Sequence, residues 1–488
     1  MVAHVLVFPC PAQGHINCML HFAAGLLDAG LHVTFLHSDH NRRRLGLAAA
    51  GAEASSPRLR FLSVPDGLPD DHPRSAGKLL ELMESMQTHT SVAYRALLAS
   101  LRAGAPGRDD GFPPVTCVVA DGILPFAIDV AEELGVPAIA FRTASACSFL
   151  AYLSVPNLVE LGEVPVPTCA DLDAPVRGVP GMEGFLRRRD LPSFCRGHAE
   201  DGGLDPILQT LHEFTAHSSK ARALIFNTAA SLERSALAHV APRMRDLFAI
   251  GPLHAMFQAP AAGGALWRED DGCTAWLDGH ADRSVVYVSL GSLAVISLEQ
   301  FTEFLSGLVS AGHPFLWVLR PDMVGESQNA VLQEAIKAAG RSKACVVDWA
   351  PQRDVLRHRA VGCFLTHAGW NSTLEVLTEG VPTVCWPFFA DQQTNSRFIG
   401  EVWRTGLDMK DVCERAVVER MVREAMESEE IRRSAQALAL EVRRDIAEGG
   451  SSKEEFKRLV GFLNELSLST MTPPAPDKEI LADSVGIL

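Results

Sequence analysis

The sequence predicts an α/β protein of two parallel-sheet domains that face each other across a cleft. Three observations predict it. Short apolar runs alternate with helical patterns through the first half of the chain, a stretch rich in Pro, Ala and Gly interrupts them after Pro252, and a second alternating series follows. Strands alternating with helices build parallel sheets covered on both faces, and the interruption has a linker's composition. The expected units are therefore 1–251, a linker over 252–272, a second domain over 273–450, and a terminal helix with tail over 451–488.

In the first domain, Val5 to Phe8 is a strand, followed by the loop Pro9-Cys10-Pro11-Ala12-Gln13-Gly14-His15 and an apolar-periodic helix through Leu27. Val33 to His37, Phe61 to Val64, Val115 to Ala120 and Ala138 to Phe141 continue the strands, with helical patterns over Leu79 to Leu101 and Ile123 to Leu134. Residues Asn157 to Gly203 are rich in Pro, Gly and Arg without clear periodicity, and long irregular segments of this kind are commonly functional. This one is expected to roof a ligand pocket. Leu204 to His217 reads as a helix, and Ala223 to Asn227 and Leu247 to Ile250 as strands that close this half.

The second series opens with the strand Val285 to Leu290, which runs into Gly291-Ser292. Ser297 with Gln300 forms a capping box for a helix through Val309. Phe315 to Leu319, Ala344 to Val347, Val361 to Thr366 and Thr383 to Trp386 are strands, with a helix from Thr373 to Thr378 between the last two. Gln392 to Trp403, a charged region Arg415 to Ala447 and Lys453 to Leu466 read as helices, broken by Gly449-Gly450. The proline-containing tail after Thr472 is loosely held.

Bulk properties exclude several function classes. A net charge of -15 argues against nucleic acid and anionic membrane surfaces as partners. No run of about 18 apolar residues is present to span a bilayer, and no cleavable signal precedes the first strand. The 11 scattered cysteines lack a C-x-x-C pair, which fits reduced thiols in a cytoplasmic protein. No G-x-G-x-x-G follows the first strand, against a nicotinamide oxidoreductase.

The informative stretch is Trp349 to Gln392. His367, Gly369, Asn371 and Ser372 lie at the carboxyl end of a strand where a helix begins, the edge at which open α/β sheets collect ligands. A helix start offers unpaired N–H groups and a positive dipole end to an anion. Glu375, three residues after Ser372, can equally serve as the second half of a capping box, and Trp349 taken alone reads as core.

The Trp-Ala-Pro-Gln opening, the His-x-Gly-Trp-Asn-Ser turn, the Glu that follows and the Asp-Gln close together resemble the signature of plant family 1 UDP-dependent glycosyltransferases. That resemblance implies a GT-B fold of two Rossmann-like domains and an inverting transfer from a UDP-sugar co-substrate, without a metal. It implies that Trp349 stacks on uracil with the Ala350 backbone at the base edge, and that Gln352 and Glu375 hold the ribose. His367, Asn371, Ser372 and Ser292 would meet the pyrophosphate, Trp370, Asp391 and Gln392 the sugar, and Thr143 the sugar or phosphate from the first domain. Gln392 points to glucose. Ala368 stands where the family usually has Cys and Cys18 where it often has Pro, which implies repacking and not lost chemistry.

An inverting transfer needs a base for the acceptor hydroxyl, and histidine titrates near neutrality. By the same resemblance His15 is that base and Asp121 its partner, although Asp121 can also cap the helix from Ile123 onward. The expected acceptor is a small lipophilic phenolic, terpenoid or acid. Met86, Ile123, Tyr152 and Phe389 are nominated for its pocket by position and apolar character, each being plain core when judged alone. A monomer is the family's default state. The alternative is a regulatory protein that binds a nucleotide sugar without turnover; the presence of both His15 and Asp121 counts against it.

Overall fold

The computed structural model describes residues 2–45, 56–74, 78–103, 111–167, 169–197, 203–259, 269–270, 272–291, 296–320, 326–340 and 342–471. Ser292, the linker residues 260–268 and 271, and the tail after Thr472 lie outside the described residues. The first sheet contains β1 (His4–Phe8), β2 (His32–Ser38), β3 (Leu59–Val64), β4 (Cys117–Asp121), β5 (Ala138–Arg142), β6 (Leu224–Phe226) and β7 (Leu247–Ala249). Their order is β3-β2-β1-β4-β5-β6-β7, and every pairing is parallel. The second sheet is β10-β9-β8-β11-β12-β13, also parallel, with β8 Val285–Ser289, β9 Phe315–Val318, β10 Ala344–Val347, β11 Val361–Thr366, β12 Thr383–Cys385 and β13 Gly406–Asp408.

Both faces of each sheet are covered, as near-continuous Val, Ile, Leu and Phe strands require. The first sheet separates two cores, one holding Leu6, Phe8, Val118 and Ala120, the other Val5, Val7, Val33 and Phe35. The second divides Val286, Val288 and Trp317 from Tyr287, Leu316 and Phe364. In each sheet the strand order reverses once, between β1 and β4 and between β8 and β11. Ligands in open α/β sheets bind at such switch points, beyond the carboxyl ends of the strands. His15 follows β1 and Asp121 ends β4; Gly291 follows β8 and His367 follows β11.

Several element limits differ from expectation for identifiable reasons. The signature helix runs Trp370–Glu379 with Gly369 as its N-cap, so it begins three residues early. Ser372 is therefore inside the first turn, and the capping-box reading of Ser372 and Glu375 fails. The pattern over Leu79 to Leu101 is helical but passes through a π turn at Met86–Thr90. The charged region divides at Ser428, whose hydroxyl accepts the Ile431 N–H at 3.2 Å and caps the second helix, Glu429–Ile446. Ser297 and Gln300 do form their capping box. No helix among the described residues is long and apolar enough to cross a membrane.

Candidate active site

The loop after β1 turns at once into the helix Gln13–Asp28, which sets His15 in that helix's first turn. β4 pairs with β1 in parallel, bringing Asp121 to the same sheet edge. The His15 Nδ1 lies 2.5 Å from Asp121 Oδ2, with side-chain exposures of 28% and 1%. Asp121 Oδ2 also accepts the Cys10 N–H at 3.2 Å, and Oδ1 accepts the Ile123 N–H at 3.2 Å. The carboxylate thus fixes the turn before the helix Pro125–Glu133 while it orients the imidazole. Burial pushes the Asp121 carboxyl up, but His15, Arg142 and the Cys10 N–H outweigh it and hold it below the ordinary carboxylate range. Thr143 Oγ1 stands 3.0 Å from the same His15 nitrogen, close behind the end of β5.

Across the cleft, Gln352 Nε2 donates to Ser372 Oγ at 3.0 Å and to Glu375 Oε2 at 2.5 Å, and Gln352 Oε1 accepts the Tyr287 hydroxyl at 3.2 Å. Burial raises the Glu375 carboxyl, against the Gln352 hydrogen bond and the charges of Arg353 and Arg357. His367 is pushed down to about 4, chiefly by burial with Arg320 adding, while a backbone hydrogen bond to Ser289 opposes. It is therefore neutral at pH 7. Trp349 is half-buried against the core beside β10, and Ala350 is buried there.

Two residues from the signature are turned differently from expectation. Trp370 is expected at the sugar, but its indole is 4% exposed and donates Nε1–H to Asn227 O of the first domain at 2.8 Å, among Ala229, Leu232 and Leu374. A first-turn helical side chain leans back toward the preceding turn, which here is the domain interface. Only its backbone N–H is left at the helix start. Gln392 is buried, and its Oε1 already accepts Phe388 N–H and Phe389 N–H at 2.8 and 3.1 Å, so the carboxamide nitrogen is what remains for a ligand.

Asn371 Nδ2 donates to Gly14 O at 2.7 Å, joining the signature helix directly to the helix turn that carries His15. Asp391 Oδ2 accepts from Asn395 Nδ2 at 2.9 Å, and Asn395 Oδ1 accepts the Ser145 hydroxyl at 2.8 Å. Burial raises the Asp391 carboxyl against Asn395, His15 and Arg142. Ala368 is fully buried with Cys385 and Ile399 at a φ of 61°, so its side chain does point into the fold. Ile123 and Phe389 are half-buried beside Asp121 and Gln392, whereas Met86 and Tyr152 are sealed in the first core, the Tyr152 hydroxyl having no hydrogen-bond partner.

The family model described as UDP-glucoronosyl and UDP-glucosyl transferase matches residues 211–437. Myricetin 3-O-rhamnoside 1,2-glucosyltransferase of Crocosmia x crocosmiiflora is 45% identical over 471 residues, 95% of this chain and 96% of that protein. The chain is a plant family 1 UDP-glycosyltransferase. A 7-deoxyloganetic acid glucosyltransferase of Catharanthus roseus is 42% identical over 96% of the chain and 98% of its own length. Among solved structures, Os79 from O. sativa in complex with UDP superposes with a TM-score of 0.76 at 28% identity, over 94% of this chain and 100% of that one. A UDP-glucose: anthocyanidin 3-O-glucosyltransferase in complex with UDP shares the fold at a TM-score of 0.80 and 24% identity, over 95% and 99% of the two chains. The architecture of this glycosyltransferase is accordingly GT-B, two Rossmann-like domains facing across a cleft.

Two buried residues that sequence reasoning missed act on the carboxylates of this glycosyltransferase's site, Arg142 by its charge on Asp121 and Asp391, and Asn395 by its bond to Asp391. Arg142, directly before Thr143, is buried, with its Nη2 3.5 Å from Thr215 Oγ1 and its stem lying where a Gly122 Cβ would be. Asn395 is four residues after Asp391 on one helix face, and that i, i+4 spacing was the available signal.

Proposed function

We propose that the enzyme transfers glucose from UDP-glucose, with inversion and without a metal ion, to a hydroxyl or carboxyl of a small lipophilic plant metabolite. The single observation that carries this reading is the His15 imidazole, anchored through Nδ1 on a buried carboxylate while the ring stays partly open to the cleft. The anchored nitrogen leaves Nε2 to take the acceptor proton. As that proton moves to Nε2, the acceptor oxygen bonds to the anomeric carbon, and the bond from that carbon to the β-phosphate oxygen breaks with UDP keeping the electron pair. Asp121 then balances the imidazolium, the role an orienting carboxylate plays beside a general base.

Charge that grows on the β-phosphate would meet the start of the helix Trp370–Glu379, neutral His367 and the second N–H of Asn371. Gln352 and Glu375 would hold the ribose, Trp349 the uracil, and Asp391 and Gln392 the sugar. Relatives named as glucosyltransferases support glucose as the donor sugar. One of them is named for an acid and the other for a glycoside, which fits either kind of acceptor group.

Incubation with UDP-glucose and a panel of phenolics, terpenoid alcohols and carboxylic acids, read by mass spectrometry, tests the activity. His15→Ala is expected to lower kcat about 10²- to 10⁴-fold while calorimetric UDP affinity is kept. A His15→Ala enzyme that turns over at the wild-type rate would overturn the assignment. UDP-glucose binding with no transfer or hydrolysis across the panel would instead favour a binding protein.

A further inference from the structure

The irregular segment expected to roof the pocket is bonded to the second domain. Its turn Arg188–Asp190 carries an Asp190 carboxylate that is fully buried and bonded to Lys410 Nζ at 2.9 Å and to Arg187 at 2.9 Å, with Arg397 at 3.4 Å. Asp190 O accepts the Thr394 hydroxyl at 2.8 Å, and Phe185 O accepts Arg397 Nε–H at 2.9 Å. These bonds stitch the segment to the short helix Gln392–Arg397.

At the tip of the segment, Ser193 takes both backbone polar groups of Ala390. Ala390 N–H donates to Ser193 Oγ at 3.0 Å, and Ser193 N–H donates to Ala390 O at 3.3 Å. Ala390 has a φ of 57°, a left-handed conformation that is unfavourable for an alanine. Such a residue persists only where its surroundings over-determine it. The rest of the loop is already tied inside its own domain, since Gln392 takes the N–H groups of Phe388 and Phe389. The alanine that aims Asp391 is thus held in its strained state from the opposite domain.

We propose that Ser193 is a positioning residue for the donor-sugar end of the cleft, fixing Asp391 and Gln392 through the strained Ala390. The inference rests on the reading above, in which those two residues meet the sugar. It makes a segment of the acceptor-side domain a determinant of how the donor sugar is held. The uridine and phosphate contacts lie elsewhere, on Trp349, Gln352, Glu375 and the signature helix, and do not depend on this clamp.

In the full chain, Ser193→Ala is expected to lower kcat/KM for UDP-glucose about 10- to 100-fold. It should also shrink the rate ratio of UDP-glucose to its C4 epimer UDP-galactose and leave the calorimetric Kd of UDP unchanged. Ser193→Thr, which keeps the hydroxyl, restores both. Wild-type kcat/KM with an unchanged sugar ratio in Ser193→Ala would overturn the proposal, and so would a parallel loss of UDP and UDP-glucose affinity, the mark of general damage. Comparing UDP-glucose with UDP binding in Ser193→Ala reads the clamp even without turnover. A failed transfer assay in the wild type therefore counts against the transferase reading alone.

Discussion

His367 is held between two glycines, and each excludes a side chain for a different reason. Gly291 has a φ of 75°, and a Cβ there would also strike the imidazole; Gly369 has an ordinary φ of -62°, so only the ring forbids a side chain. Gly369→Ala therefore displaces the ring with no backbone strain. UDP affinity should fall about tenfold, the scale of one hydrogen bond to a charged group, with little change in melting temperature, as calorimetry of both would show. Residues like these were legible because the signature is contiguous, and its geometry follows from one strand, one turn and one helix. Ser193 was not, because its partner Ala390 is 197 positions away in the chain. The direction of the Trp370 indole was not legible for a related reason: its place in the motif is local, but that direction depends on where the helix starts and on Asn227 of the other domain.

The strands were the most legible elements, since aliphatic runs buried on both faces allow few other readings. Helix ends were less so, because Gly369 starts its helix through backbone geometry that no side-chain pattern announces. β13, Gly-Leu-Asp, was missed because it carries a single apolar residue and so makes no aliphatic run. β2 also buries a cost that pattern reading passes over. His37 lies against the rings of Phe35 and Phe61, neither of its nitrogens has a hydrogen-bond partner among the described residues, and burial with the Arg42 charge pushes it down to about 4. The folded state then binds fewer protons than the unfolded one at pH values between about 4 and 6.5. The stability it permits is full above the unfolded value and is lost as pH falls through that window. His37→Leu abolishes the dependence, and any repacking cost is the same at every pH. Its stability relative to wild type should rise by about 2 kcal/mol between about pH 7.5 and pH 5, measurable by urea unfolding at both values. A constant difference would show that the fold does not hold the imidazole below its ordinary range.

Across the whole molecule, the two switch points are brought together by bonds that sequence periodicity cannot foresee. Asn371 to Gly14, Trp370 to Asn227 and Ser145 to Asn395 each join side chains of one domain to the other beside the cleft. The longest tie is the final helix, Ser451–Met471, which leaves the second domain and returns to the first. Its apolar positions Phe456, Leu459 and Leu463 are legible as one face, but the surface they cover is not. That surface is the core built on Phe22, Phe141 and Phe248, where Phe456 meets Phe257 at 4.6 Å and Phe462 meets Phe248 at 5.5 Å. Gly25 leaves the space, since a Cβ there would touch both Phe257 and Phe456. Arg458 adds hydrogen bonds to Asp246 and stacks 3.8 Å over the Phe248 ring. A large-to-small change at this seam should cost about 3–5 kcal/mol, as for other buried phenylalanines. Phe456→Ala is therefore expected to lower the melting temperature and loosen the domain pairing. On the proposed reading UDP affinity should hold, because the donor contacts it assigns lie in the second domain, while kcat/KM for the acceptor falls as His15 loses its register with them. Scanning calorimetry with UDP titration separates the two effects, and an unchanged melting temperature would mean that the returning helix carries no load in joining the domains.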